Sequence, residues 1–224
     1  MNILKIATRN SPLALWQAEH VKQQLMQTHA GLEVELVGMQ TEGDRFLEAP
    51  LVEVGGKGLF IKELEQALLD DVADIAVHSM KDVTIDLPDE FELPVIMQCE
   101  DSCGVLTVIK YKSVFDDKTV SDDYKTGLRR QSQDSALRRD LELKNLRGNV
   151  GTRLRKLDEG EYDAIILAAA GVIRLELTER VAQYIPENQI LPAIGQGAVG
   201  IECRAGDDRI RELIMPLNDD DTTL

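Results

Sequence analysis

Lys81 and Asp82 follow a short apolar run, Ile75-Ala-Val77, in the segment Ala73-Asp-Ile-Ala-Val-His-Ser-Met-Lys-Asp-Val83. A cation and a carboxylate in adjacent positions are either a working charged pair at a ligand site or two solvated surface groups. For an isolated Lys-Asp dipeptide the solvated reading is the commoner one. The rest of the sequence reverses that reading. The run has the character of an inner strand of a parallel sheet covered on both faces. In open α/β sheets ligands sit beyond the carboxyl ends of such strands, where Lys81 and Asp82 would project.

Arginines form the second group with chemistry to offer. Seven of the 14 fall within residues 129–155: Arg129, Arg130, Arg138, Arg139, Arg147, Arg153 and Arg155. In a chain of net charge −15 this concentration could hold a small polyanion, or form a solvated helix face with i, i+4 pairs. Arg9 lies beside Ser11-Pro12, an N-cap followed by proline at the first helical position, where unpaired backbone N–H groups make a natural anion site. Gly55, Gly56, Lys57 and Gly58 form a glycine-rich segment with a lysine, but the Walker spacing is not met. A lid over a cleft fits that segment better than a phosphate loop. Cys99 and Cys103 are four apart with no cysteine or histidine near them, so no metal site is expected.

Strands alternating with helices must position these groups. Residues 4–8 predict a first strand, and residues 13–28 an amphipathic helix through Leu13, Trp16, Ala18 and Val21. Residues 34–39 predict a second strand, 41–58 a mobile polar loop, and 59–70 a helix with Phe60, Leu64, Ala67 and Leu68 on its apolar face. Strands are expected at 95–97 and 105–109, a basic helix at 128–139, a strand at 141–146, and a turn at 147–153 opening a helix over 153–159. Asp163-Ala-Ile-Ile-Leu-Ala-Ala-Ala-Gly171 repeats the strand-then-small-residues logic of residues 73–79, with Arg174 just inside the following helix. Two such units predict two similar α/β lobes facing one another across a cleft, the first formed by residues 1–96 and 198–224 and the second by 97–197. The segment 191–204 is expected to return the chain to the first lobe as a strand, with Cys203 a core thiol.

The totals exclude several function classes. The negative charge argues against a general nucleic-acid or acidic-membrane binder. No apolar run approaches the ~20 residues that span a bilayer. The amino terminus lacks the apolar core of a signal peptide, and three cysteines give no secreted disulfide pattern, so a cytoplasmic location is expected.

Taken together, Ile6-Ala-Thr-Arg-Asn-Ser-Pro-Leu-Ala-Leu15, Gly55-Gly-Lys-Gly-Leu-Phe60, His78-Ser-Met-Lys-Asp82, Leu128-Arg-Arg-Gln131, Leu146-Arg-Gly-Asn-Val-Gly-Thr-Arg153, Tyr162-Asp-Ala-Ile-Ile-Leu-Ala168 and Leu191-Pro-Ala-Ile-Gly-Gln-Gly-Ala198 resemble porphobilinogen deaminase, or hydroxymethylbilane synthase. The matches run in the family's order through nearly the whole chain. The resemblance implies two lobes of the periplasmic-binding-protein type (class II) with an interlobe cleft. It implies a deaminating transferase of heme and tetrapyrrole biosynthesis, a monomer that joins four porphobilinogen molecules into hydroxymethylbilane. The family primes itself with a dipyrromethane cofactor, linked by a thioether to a cysteine in a third, carboxyl-terminal domain. By the match, Asp82 is the catalytic aspartate that stabilises the cationic azafulvene and handles the proton lost on coupling, and Lys81 assists. Arg9, Ser11, Arg129, Arg130, Arg147, Arg153 and Arg174 are the carboxylate clamps, a role that suits planar guanidinium forks. Gln196 lines the cleft, and Gly55 to Gly58 close it.

The sequence departs from the family's pattern in four places. It stops at Leu224, where the family continues into its third domain, so that domain and its cofactor cysteine are expected to be missing and covalent attachment of the dipyrromethane is not expected, since none of Cys99, Cys103 and Cys203 matches the tether. The family's Thr-Ser-Ser-Leu-Arg-Arg stands here as Lys125-Thr-Gly-Leu-Arg-Arg130, and its Glu-Asp-Pro-Arg-Asp-Ala as Glu100-Asp-Ser-Cys-Gly-Val105. Its paired histidines near the end are replaced by Asp219-Asp-Asp-Thr-Thr223. Two expectations follow: a working deaminase, or an inactive relative that binds anionic pyrroles in an arginine-lined cleft. A solute-binding protein is a third reading, weakened by the family motifs.

Overall fold

Alternating apolar residues make Ile3–Arg9 a strand (β1), and Ser11 ends it by capping the helix Pro12–Thr28 (α1), its Oγ accepting from the Ala14 N–H at 3.4 Å. Proline at the first helical position gives up no hydrogen bond there. The structure, a computed structural model, describes residues 3–45, 60–84, 87–108, 121–122 and 146–223. Ala14, Ala18, Val21 and Leu25 recur at helical spacing and are the buried stripe of α1. Glu33–Met39 (β2) follows, then a short helix Glu42–Arg45 (α2) and a helix Lys62–Leu69 (α3) that buries Leu64, Ala67 and Leu68. Ile75–Ser79 (β3) runs directly into a 3-10 turn, Met80–Asp82, and Phe91–Ile96 (β4) closes this part of the chain.

The next elements are Gly104–Val108 (β5), Ser121–Asp122 (β6), Val150–Asp158 (α4), Ala164–Ala168 (β7), Ala169–Arg174 (α5) and Gln183–Ile185 (β8). The chain then continues through Val199–Arg204 (β9), Asp208–Ile214 (α6) and Asp220–Thr223 (α7). It divides into two compact units, Met1–Glu100 with Ala198–Leu224, and Asp101–Gly197. The first contains a five-stranded sheet in the order β2-β1-β3-β9-β4 and the second a four-stranded sheet in the order β6-β7-β5-β8.

In the first unit β1 is parallel to β2 and to β3, while β9 inserts antiparallel between β3 and β4. The sheet is therefore mixed, and β3 is not the inner strand of an all-parallel sheet that its apolar run predicts. Burial on both faces, which the run does report, is the same whichever way a neighbour points. Side chains alternate across the strands. Ile75, Val77, Val199, Ile201 and Cys203 pack with α1 and α6, and Ala7 and Ala76 pack with α3. Each fully buried leucine or isoleucine contributes ~1.5–3 kcal/mol. In the second unit Val105, Leu154, Leu157, Ile165, Leu167 and Val172 form the main core.

Three further differences from expectation concern boundaries. The segment from residue 41 opens with α2 instead of a loop. The helix expected from Arg153 begins at Val150, capped by Asn149, whose Oδ1 accepts from the Thr152 N–H at 2.9 Å. Arg174 is the last residue of α5, not one of its first. The expected basic helix over 128–139, most of the strand over 141–146, and Gly55 to Gly58 lie outside the described residues.

Beneath the turn after β3, one buried polar pair interrupts the apolar packing. His78 Nε2 and Glu202 Oε2 are 2.7 Å apart, on side chains 4% and 1% exposed, and Glu202 Oε1 has no hydrogen-bond partner among the described residues. The pair joins β3 to β9 across a ladder that matches His78 with Gly200. Removing one partner strands the other without water. His78→Ala is expected to destabilise the protein by about 3 kcal/mol, read from urea-denaturation midpoints. A loss below about 1 kcal/mol would show that the pair is worth no more than a surface contact.

Candidate functional site

Three parallel strands end on the same edge of the first sheet, and each delivers one charge there. Arg9 is the last residue of β1, Asp82 closes the turn after β3, and Asp44 lies in α2 just after β2. Spatial order follows strand order, so the guanidinium stands between two carboxylates. Arg9 makes a two-pronged pair with Asp44, Nε to Oδ2 at 3.1 Å and Nη2 to Oδ1. Toward Asp82 it presents only Nη1, 3.9 Å from Oδ2. The Phe60 ring covers one face of the guanidinium, its centroid 4.2 Å from Cζ. Arg9 and Asp82 side chains are each 16% exposed, which weakens solvent screening.

Asp44 is held from its other side by Thr41. The Thr41 hydroxyl donates to Asp44 Oδ2 at 2.8 Å and the Thr41 N–H donates to the same oxygen at 3.3 Å. Burial would raise the Asp44 carboxyl, but the hydrogen bond and charge of Arg9 and the two bonds from Thr41 outweigh it and hold the group below its ordinary value. Two further contacts fix α2. The Glu42 N–H donates to Glu63 Oε1 at 2.6 Å, and Gly43 lies so close to Phe60 that a Cβ would fall 2.2 Å from the ring.

The turn carrying Lys81 and Asp82 is tied down by backbone and side chain alike. The Met80 N–H donates to the Ala198 carbonyl at 3.1 Å and the Val83 N–H to the Met80 carbonyl at 3.1 Å. Just before it, Ser79 exchanges hydrogen bonds with the buried Gln17 of α1, at 2.9 and 3.2 Å. Ser11 caps α1, as its place before Pro12 predicts.

On the second unit the sequence-predicted residues fall into two groups. Arg147 and Arg153 flank the start of α4, where Gly148 adopts φ 117°, a conformation that a side chain resists. Arg153 is 5% exposed, and burial lowers the Arg147 guanidinium from its ordinary value. Arg174 and Gln196 are buried as well, and both bond to main chain of their own unit. Arg174 Nη2 donates to the Gly197 carbonyl at 2.7 Å, and Gln196 Nε2 donates to the Ser102 carbonyl. Arg129 and Arg130, like Gly55, Gly56, Lys57 and Gly58, lie outside the described residues.

Two of the three cysteines sit where a thiolate is disfavoured. Burial, with the Glu92 carboxylate beside it, pushes the Cys203 thiol up to about 12, and burial together with Asp101 raises Cys103. Neither is a ready thiolate. No group of three or more histidine, cysteine, aspartate or glutamate residues suited to a metal occurs among the described residues. Asp44 and Phe60 are the members of the charged cluster that the sequence reading missed. The available signal was Thr41-Glu-Gly-Asp44, a threonine with an acid three residues on, which is the spacing of a capping box.

A family model described as porphobilinogen deaminase, dipyrromethane cofactor binding domain, matches residues 4–212. Solved structures with a similar fold include a Bacillus subtilis lipoprotein assigned to methionine binding, at 12% identity over 98% of this chain and 92% of that one, TM-score 0.58. A substrate-binding domain assigned to an amino acid ABC transporter of Streptococcus pneumoniae shares 12% identity over 96% and 91%, TM-score 0.55. The VFT2 domain of Bordetella pertussis BvgS shares 15% over 95% and 85%, TM-score 0.53. The chain thus has the two-unit α/β fold of type II periplasmic binding proteins, and at these identities the likeness extends to the fold alone.

The depressed carboxyl of Asp44 gives a pH-dependent test of the cluster. Its pairing stabilises the fold fully above the ordinary value of 3.8 and is lost as pH falls through the lower folded-state value. Asp44→Asn is therefore expected to be less stable than the native protein at pH 7, with the gap closing below pH 3.8 in urea titrations. A gap that stayed constant into acid would mean that Arg9 and Thr41 do not stabilise the Asp44 charge.

Proposed function

The chain belongs to the porphobilinogen deaminase family, and on that premise we propose that it takes part in the condensation of porphobilinogen into hydroxymethylbilane. The observation that carries this reading is the placement of Asp82, little exposed and next to Lys81, at the strand edge where Arg9 also ends. Porphobilinogen carries two carboxylates, a nucleophilic pyrrole carbon and an aminomethyl group. Its C–N bond breaks as nitrogen leaves with its proton as ammonia, and the remaining carbon becomes a cation conjugated with the ring. The free α-carbon of a second pyrrole attacks that cation, a C–C bond forms, and the α-proton departs. Asp82 answers both demands on this chain, as a fixed negative charge beside the developing cation and as acceptor for the departing proton. Lys81 assists it.

Carboxylate recognition falls to the arginines. Arg147, Arg153 and Arg174 offer guanidinium donors on the second unit, with Arg129 and Arg130 assigned to the same task by family position. Their chemistry fits a dipyrromethane, whose acetate and propionate groups take the same two-pronged bonds. When bound, that group supplies the pyrrole end to which new units are joined. The reading places the protein in heme and tetrapyrrole biosynthesis, in the cytoplasm, as a monomer whose partner is a small molecule. No helix among the described residues is long and apolar enough to cross a membrane. A second reading, binding of anionic pyrroles without turnover, draws on Lys125 and Gly127, which replace two hydroxyl-bearing residues of the family's pattern.

Incubation of the purified protein with porphobilinogen decides between them through ammonia release and intact mass. Ammonia together with mass gains of whole pyrrole units supports the deaminase; saturable binding with neither supports the binder. Asp82→Ala is expected to lower turnover by about 10²-fold or more while the circular dichroism spectrum is unchanged. Native-like turnover in that variant would remove the assigned mechanism. Arg147→Ala should weaken binding of an anionic pyrrole by roughly tenfold, with a smaller salt dependence than the native protein. Unchanged affinity would exclude Arg147 as a carboxylate contact.

A further inference from the structure

Met80 begins the turn that presents Lys81 and Asp82, and its side chain lies over Gly200 of β9. A Cβ on Gly200 would fall 2.3 Å from Met80 Sδ and 3.2 Å from Leu93 Cδ1. Backbone conformation does not ask for glycine there. Gly200 lies within β9, paired with His78 on one side and Ile96 on the other, and is not among the glycines of positive φ. What the position requires is space. Its occupant is a thioether, a side chain that fills irregular gaps well. Main chain supplies a second anchor. The Met80 N–H donates to the Ala198 carbonyl at 3.1 Å, two residues before Gly200, or about 7 Å along an extended strand. One hydrogen bond alone lets a turn pivot, and a second contact farther along the same strand opposes that rotation. The Val83 N–H closes the turn on the Met80 carbonyl at 3.1 Å, so the backbone of Lys81 and Asp82 follows Met80. His78 faces Gly200 in the ladder and is bonded to Glu202, which opposes a slip of β9 past β3.

We infer that Gly200 and Met80 form a seat that sets where the turn stands, and that both are positioning residues for the reaction at Asp82. The assignment rests on the proposed deaminase reading and deepens it. A carboxylate that stands beside a developing cation and then accepts a proton tolerates little displacement. A glycine and a thioether bring no acid, base or carboxylate ligand to the site, so they act through the place they give the turn. Whatever Lys81 and Asp82 bond, they bond from that place.

A double-mutant cycle in kcat with porphobilinogen tests the seat. Gly200→Ala is expected to lower kcat by about tenfold with KM changed less than about twofold, because the added methyl displaces Met80 and the turn with it. Met80→Ala, which empties the seat, is expected to lower kcat by about fivefold, and Met80→Leu, which fills it, to stay within about twofold of native. In the Met80→Ala background Gly200→Ala is expected to cost less than about twofold, because no sulfur remains to be displaced. An equal kcat loss from Gly200→Ala in both backgrounds overturns the inference, since the methyl would then act through Leu93 or the strand. Native-like kcat in Gly200→Ala, with only the melting temperature lowered, overturns it too, because Met80 would have swung aside and left the turn in place. Should Gly200→Ala fail to fold, the contrast between Met80→Ala and Met80→Leu decides, and equal kcat in those two counts against the seat. A native protein that does not turn over porphobilinogen would end the proposed function. Crystal structures of native and Gly200→Ala proteins would still decide the seat: a turn moved by about 1 Å supports it, and an unmoved turn overturns it.

Discussion

A single guanidinium placed between two carboxylates is the interaction on which the first unit's charged edge depends. Its origin is topological. Parallel strands share the edge at which they end, so whatever follows β2, β1 and β3 is brought together whether or not it is close in sequence. Asp44 and Asp82 are separated by 38 positions, and both stand beside Arg9. Alternating charges across neighbouring strand ends avoid the repulsion that three like charges would create, and the Phe60 ring excludes water from one face of the cation. The fold supplies proximity; Thr41, Gly43 and Glu63 supply orientation.

Polar groups buried beneath that edge extend the same logic inward. The His78–Glu202 pair and the Gln17–Ser79 exchange both lie one or two turns of chain behind Lys81 and Asp82. Apolar residues of equal volume could fill such positions with less desolvation cost. A satisfied polar pair, unlike an apolar contact, has one geometry, so it fixes strand register and helix placement where displacement of the turn by 1 Å would matter, a distance of about the size that alters catalysis. Glu202 Oε1 is the exception, a buried oxygen without a partner among the described residues, which makes this pair less stabilising than its short distance alone would indicate.

Local signals in the sequence were read correctly where the physics is local. Ser11-Pro12 places the start of α1 because cap and proline act within one turn, and the apolar run before His78 places β3 because burial on both faces demands it. The start of α4 is also locally encoded, by the Asn149 cap and not by the arginine four residues on, so the helix begins earlier than the charge pattern predicts. Strand direction was beyond local reach. The antiparallel neighbour of β3 is β9, about 120 residues later in the chain, and nothing in residues 75–79 encodes its orientation. Asp44 was missed for a related reason. Its cap-like spacing after Thr41 was legible, but its partner Arg9 lies 35 residues earlier, and pairing at that range depends on the sheet.

The same distinction between binding and building bears on the arginines of the second unit. In a chain of net charge −15 a buried guanidinium has no shortage of partners, so burial alone does not identify a ligand contact. Arg174 directs Nη2 to the Gly197 carbonyl, and Gln196, one residue before that glycine, bonds the Ser102 carbonyl. Those bonds tie residue 197 to α5 and residues 102 and 196 to each other, and leave each side chain fewer donors for an anion. Arg147 differs: it precedes a glycine held at φ 117° and a capped helix, so its backbone position is fixed by local geometry, and its partial burial lowers the stability of the bare charge. A cation kept at that disadvantage gains most from an incoming carboxylate, because desolvation already borne by the protein strengthens the new pair. Arg147 and Arg174 thus differ in setting: Arg174 already bonds main chain of its own unit, and Arg147 stands before a fixed turn and a capped helix.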